Sequence, residues 1–164
     1  MRDQYKLLAE KYQGILEQTR EPVMHQDTAG NKEWYLKGLL HRVDGPAIEG
    51  ADGDKEWYLD GQRHRVDGPA IEWADGAKHW YLNDKLHRVD GPAVEDADGS
   101  KVWYLNGKRH RVDGPAVVWA DDTKFWFLNG KEYTEEEFKK HIWRSTQAKA
   151  LKKASDETGI EMDI

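Results

Sequence analysis

Apolar positions follow three successive rhythms along this chain. In residues 1–21, Tyr5, Leu8, Tyr12, Ile15 and Leu16 recur at spacings of three and four, with charges of both signs between them. That is the period of an amphipathic helix. Glu21-Pro22 stops it, because the residue before a proline is pushed away from helical geometry. From residue 28 to residue 133 the rhythm becomes short alternating runs around Trp-Tyr-Leu at Trp34, Trp57, Trp80 and Trp103, with Trp126-Phe127-Leu128 closing the series. The step is 23 residues each time. A third rhythm opens at Thr134-Glu135-Glu136-Glu137, a capping box with Thr134 as N-cap and acids at the positive end of the helix dipole. Phe138, Ile142 and Trp143 are expected on its sheet-facing side. This helix is expected over 134–154, with an acidic tail over 155–164.

Within the 23-residue period a second phrase, His-Arg-Val-Asp-Gly-Pro-Ala, begins at His41, His64, His87 and His110. Fixed self-similarity at this length is the mark of a repeat array. Two turn signals fall in each unit: Asp-Gly (Asp52-Gly53, Asp75-Gly76, Asp98-Gly99), and Gly after a polar residue (Asp60-Gly61, Asn106-Gly107, Asn129-Gly130). Such dipeptides favour type I′ turns, which need positive φ at both central residues. Two turns per unit predict two short strands per unit, joined as a continuous antiparallel meander. The Asp-Gly-Pro of the motif is then a bend at a strand boundary, where proline forfeits no ladder donor.

If Asp75-Gly76 is a two-residue turn, Glu72 faces His79 and Ile71 faces Trp80. Alternation then puts Ile71, Trp73, Trp80 and Leu82 on one face, expected to be the core, and Glu72, His79 and Tyr81 on the other. The cross-strand pair on the second face runs Glu49/Glu56, Glu72/His79, Glu95/Val102, Val118/Phe125. A face that turns apolar toward one end is expected to be covered there, with the C-terminal helix packing on Val118, Phe125 and Phe127. Positions 40, 63, 86 and 109 read Leu, Arg, Leu, Arg, while 50, 73, 96 and 119 read Gly, Trp, Asp, Trp. Both alternations are compatible with a doubled repeat.

Composition narrows the class. The apolar share of 38% is low, but eight Trp and seven Tyr argue against disorder. With no Cys there are no disulfides or thiolate metal sites. No apolar run approaches membrane-spanning length, and the N-terminus lacks the apolar core of a signal peptide. A net charge of −6 argues against general DNA binding, which rests on neutralising phosphates. A cytoplasmic protein is the reading these features favour.

The His-x-x-Asp pair invites a metal or catalytic reading, and its repetition argues against it. Equivalent histidines two strand spacings apart stand about 9–10 Å from each other, whereas zinc binds nitrogen at about 2 Å. No nucleophile elbow, phosphate loop or metal-binding helix occurs. The expectation is no enzyme, no metal and no cofactor. The binding candidates are Tyr58 opposite Arg63, Tyr104 opposite Arg109, and Tyr81 between them, residue types enriched at interface hot spots. The competing reading is a solvated face stiffened by cation–π contacts.

The run from Trp103 through Asn106-Gly107, His110-Arg111-Val112-Asp113-Gly114-Pro115-Ala116 to Asp122 resembles the MORN repeat in length and register. Gly107 and Gly114 match that family's glycines, while Arg111 stands where it usually has Gly. The His-Arg-x-Asp-Gly-Pro-Ala variant, and the closing Phe127-Leu-Asn-Gly-Lys-Glu-Tyr-Thr-Glu-Glu-Glu-Phe, are similar to tailed-phage proteins. The resemblance covers Lys32 to Tyr133. It implies a mainly β antiparallel meander of tandem hairpin repeats, here with an N-terminal and a C-terminal helix. It also implies a non-enzymatic interaction platform; lipid binding and dimerisation are both proposed for MORN arrays. The functional expectation is a protein-binding module, with a bacterial host defence or regulatory protein as partner in the host cytoplasm. The alternatives are a nucleotide or single-stranded nucleic-acid binder, and a structural protein that self-assembles, the terminal helices offering contacts for a homo-oligomer.

Overall fold

Each unit folds as two hairpins set end to end. In the second unit, Ile71–Glu72 and Lys78–His79 belong to one long antiparallel sheet. Tyr81–Leu82 and Lys85–Leu86 form a separate two-stranded hairpin. Trp80 joins the two, its N–H bonded to the Ala93 carbonyl of the next unit. Four short strands per unit therefore replace the expected two. These features come from a computed structural model that describes residues 21–158. The helix expected over 1–21 falls on residues outside that range, Glu21 excepted.

The long sheet runs in meander order from Val23–Gln26 to Lys131–Tyr133. Its first strand, paired with Lys32–Leu36, starts ahead of the expected residue 28. The separate hairpins stack through single backbone bonds: Arg65 N–H to Tyr81 O at 3.1 Å, and Asp84 N–H to Arg63 O at 3.0 Å.

The two turn types differ in length. In the separate hairpins Tyr58 pairs with Arg63 and Leu59 with Gln62, leaving Asp60 (φ 49) and Gly61 (φ 77) as a two-residue type I′ turn. The Asp-Gly turns are one residue longer. Trp73 N–H bonds to Ala77 O, Glu72 pairs with Lys78, and Ile71 pairs with His79. The Asp75 carboxylate accepts from the Ala77 N–H at 3.0 Å, and Gly76 takes φ +95. This three-residue closure corrects the expected register, and a one-residue slip exchanges the faces of one strand.

The corrected faces have clear chemistry. One row, from Ile48 to Phe125, runs Ile48, Glu56, Ile71, His79, Val94, Val102, Val117, Phe125. The other alternates in charge: Lys32, Glu49, Lys55, Glu72, Lys78, Glu95, Lys101, then Val118 and Lys124. The apolar gradient toward the C-terminal end is real but lies in the first row. Val118 sits on the charged face, so it does not join Phe125 as expected.

The core follows from the same correction. Val94, Val102 and Val117 of the sheet cluster with Ala116 and Phe127, and with Phe125, Trp103, and Leu86 and Tyr104 of the separate hairpins. The Tyr row thus walls the core together with the Ile/Val row, instead of lying on the face away from it. Trp80 is half-buried with the Arg88 guanidinium 3.9 Å over its ring, and its counterpart Trp103 packs against the cluster.

The C-terminal helix spans Glu135–Thr158 and so continues into the stretch read as a tail. Its capping box forms: Glu137 N–H donates to Thr134 Oγ1 at 3.3 Å, and Thr134 N–H donates to Glu137 Oε2 at 3.0 Å. The helix contacts the strands Lys124–Leu128 and Lys131–Tyr133. Phe138 is 5% exposed, whereas Trp143 is 64% exposed. Five residues at about 100° each rotate Trp143 some 140° from Phe138, so it faces outward, contrary to expectation.

Candidate functional site

Two surfaces carry the residues singled out by sequence. The first is the motif loop, built around its arginine. Arg42 lies 4.0 Å over the Trp34 ring, and Arg65, Arg88 and Arg111 repeat this over Trp57, Trp80 and Trp103. Arg65 donates from Nε to Asp67 at 3.0 Å, and from Nη1 to Pro69 O at 3.2 Å and Glu72 at 3.0 Å. Those bonds hold the carboxyls of Asp44, Asp67, Asp90 and Asp113 below their ordinary value of 3.8. A Cβ on Gly68 would stand 2.8 Å from Arg65 Cζ, so this glycine makes room for the guanidinium. Ala47, Ala70, Ala93 and Ala116 are fully buried.

The histidine ties one unit to the next. Asp60 N–H donates to His41 Nδ1 at 3.1 Å, and Asn106 and Asn129 do the same to His87 and His110. The same Nδ1 lies 2.9 Å from an Asp60 carboxylate oxygen at His41, and 2.7 and 2.9 Å from the Asn83 and Asn106 side-chain oxygens at His64 and His87. The His therefore stays in the turn lattice. Among the described residues no group of three or more His, Asp or Glu is placed to hold a metal ion.

The second surface is the Tyr/Arg row of the separate hairpins. Tyr58 lies opposite Arg63, and Tyr104 opposite Arg109, as the two-residue turns require. Arg63 stacks 5.3 Å over Tyr81, and Arg109 stacks 5.1 Å over Phe127. Tyr58 donates to Glu56 at 2.9 Å, and burial followed by that bond pushes its hydroxyl above the ordinary 10.0. Burial pushes Tyr81 up as well. Arg63 Nε is buried without a hydrogen-bond partner, 3.8 Å from the Glu56 carboxylate. Tyr81 pairs with Leu86 and not with an arginine, so the charged rungs alternate with apolar ones. Tyr58, Arg63, Tyr81 and Tyr104 are half-buried and Arg109 is exposed, and both arginines rest on an aromatic ring of the following unit.

Sequence reading passed over a third feature. Val43, Val66 and Val89 are 81–83% exposed and Val112 is 55% exposed. Successive motif loops enclose three equivalent clefts of ≈480, ≈530 and ≈490 Å³. The signal was present in the sequence as an apolar residue kept in every motif, and only the structure shows that it points to solvent.

No protein-family model matches this chain, and no curated protein is significantly similar to it.

Proposed function

We propose that this chain is a non-enzymatic repeat protein that works by binding another protein, with Tyr58, Arg63, Tyr81, Tyr104 and Arg109 as its contact strip. The observation that carries the reading is the strip itself: a row of half-buried tyrosines with two arginines, Arg63 half-buried and Arg109 exposed, each stacked on an aromatic ring of the next unit. Preordered Tyr and Arg lose little freedom on association. The resemblance to MORN repeats of tailed phages makes a bacterial host protein, of a defence or regulatory kind, the partner to seek. Nucleotides and single-stranded nucleic acids stack on aromatics too, but a chain of net charge −6 repels their phosphates. No helix among the described residues is long and apolar enough to cross a membrane.

The test is a bacterial-lysate pull-down comparing wild type with Arg63→Ala/Arg109→Ala, which removes both guanidiniums from the strip. The expected result is one stoichiometric protein, retained by the wild type and lost with the variant at unchanged circular dichroism. Equal retention by both would remove the strip from the interface.

A further inference from the structure

Every residue of His-Arg-Val-Asp-Gly-Pro-Ala except one has a structural role on view. The His caps the next turn, the Arg stacks on Trp, and the Asp holds the Arg. The Gly makes room for it, the Pro carbonyl accepts from it, and the Ala is fully buried. The valine touches solvent instead, and it is the same residue in all four units. Other positions have drifted between units: 56, 79, 102 and 125 read Glu, His, Val and Phe. An extended bend would accept Thr as readily as Val, so backbone preference does not call for an apolar side chain.

We propose that this valine edge is a docking surface for a basic peptide in polyproline II conformation, with an apolar side chain at every third residue. The edge is distinct from the Tyr/Arg strip, so it stands or falls separately. Three features select the occupant. The clefts recur once per unit, and a unit advances two strands across the sheet, or about 9–10 Å. Three residues of polyproline II rise about 9.3 Å and return to the same side. A strand presents like side chains about every 6.7 Å, out of step with the clefts. Trp57 and Leu59 line the cleft together with Val43, Pro46 and Val66, giving an aromatic and apolar contact among the charged pairs of the kind that suits such peptides. Each cleft carries two Arg–Asp pairs with the carboxylates outermost: Asp44, Asp67, Asp90 and Asp113 are 74–85% exposed, while their arginines lie flat on Trp at 20–24%. A cationic residue between apolar anchors meets those carboxylates.

The probe is a fluorescein-labelled peptide of four Leu-Pro-Lys triplets, followed by fluorescence anisotropy against the full chain. Its control is the same peptide with Glu in place of Lys. The protein variant is Val43→Thr/Val66→Thr/Val89→Thr/Val112→Thr, which keeps the β-branch and the size. Saturable binding is expected, weakened roughly tenfold or more by the variant, since each methyl replaced by hydroxyl removes apolar contact. The Glu peptide is expected to bind far less. No saturable binding, equal binding to the variant, or equal binding of the Glu peptide would overturn the proposal. So would concentration-dependent dimerisation abolished by the same variant, which would assign the edge to a second copy of the chain.

Discussion

The smallest unit of this architecture is a single pair, the motif arginine and the glycine three residues on. Gly68 does not adopt a left-handed backbone; what excludes a side chain is the guanidinium of Arg65, 2.8 Å from where Cβ would be. Because that guanidinium is clamped by Trp57, Asp67, Pro69 and Glu72, it has nowhere to move. Gly68→Ala should therefore cost about 1–3 kcal/mol, the usual range for overpacking a filled site. In an Arg65→Ala background the same change should cost much less, giving a coupling of about 1 kcal/mol or more. Urea midpoints for the four members of this cycle decide it. Additive losses would mean that Gly68 serves the bend and not the arginine.

At the level of elements, legibility depended on whether local chemistry had one solution. The Asp60-Gly61 and Asn106-Gly107 turns were readable, because two adjacent left-handed residues commit the hairpin to two-residue closure, and Tyr58/Arg63 and Tyr104/Arg109 followed from it. Asp75-Gly76 is the same kind of dipeptide, yet it closes a three-residue loop in which the Asp side chain itself accepts the Ala77 N–H. The dipeptide alone does not choose between these closures. The slip then brought His79 onto the face of Ile71 and the Tyr row against the core, so part of the expected facing was reversed. Valine exposure was hidden for a related reason: which side of a bend faces solvent depends on units stacked 23 residues away. The helix shows both outcomes at once, with a cap that is purely local and a facing that is not. Thr134→Ala should cost about 1 kcal/mol through loss of the cap, whereas Trp143→Ser, 64% exposed, should stay within about 0.5 kcal/mol of wild type. Thermal melts of the two variants test the pair. A large loss at Trp143 would place that ring in a contact within the chain.

At the scale of the whole molecule, stability is passed along a line. Each unit bonds to its neighbours: Trp57 N–H to Ala70 O, His64 to the Asn83 turn, Arg63 over Tyr81. The alternation of Leu and Arg at 40, 63, 86 and 109 does not interrupt that line. Either side chain occupies the same rung, with Leu86 packed beside Tyr104 in the core and Arg63 resting on Tyr81. Excising residues 64–86 would join Arg63 to His87 in the phase of the repeat. Arg63 would then take the place of Leu86 on Tyr104, Glu56 would pair with Val94, and the Val94, Val102, Ala116, Val117 and Phe127 cluster would otherwise be kept. In a quasi-one-dimensional array the shortened chain should still fold, having lost one unit and one interface. Its urea unfolding should remain a single transition, with the slope reduced roughly in proportion to the surface removed. A chain that unfolds without cooperativity after this deletion would show that the units act in pairs, and that the Leu/Arg alternation marks a true repeat twice as long.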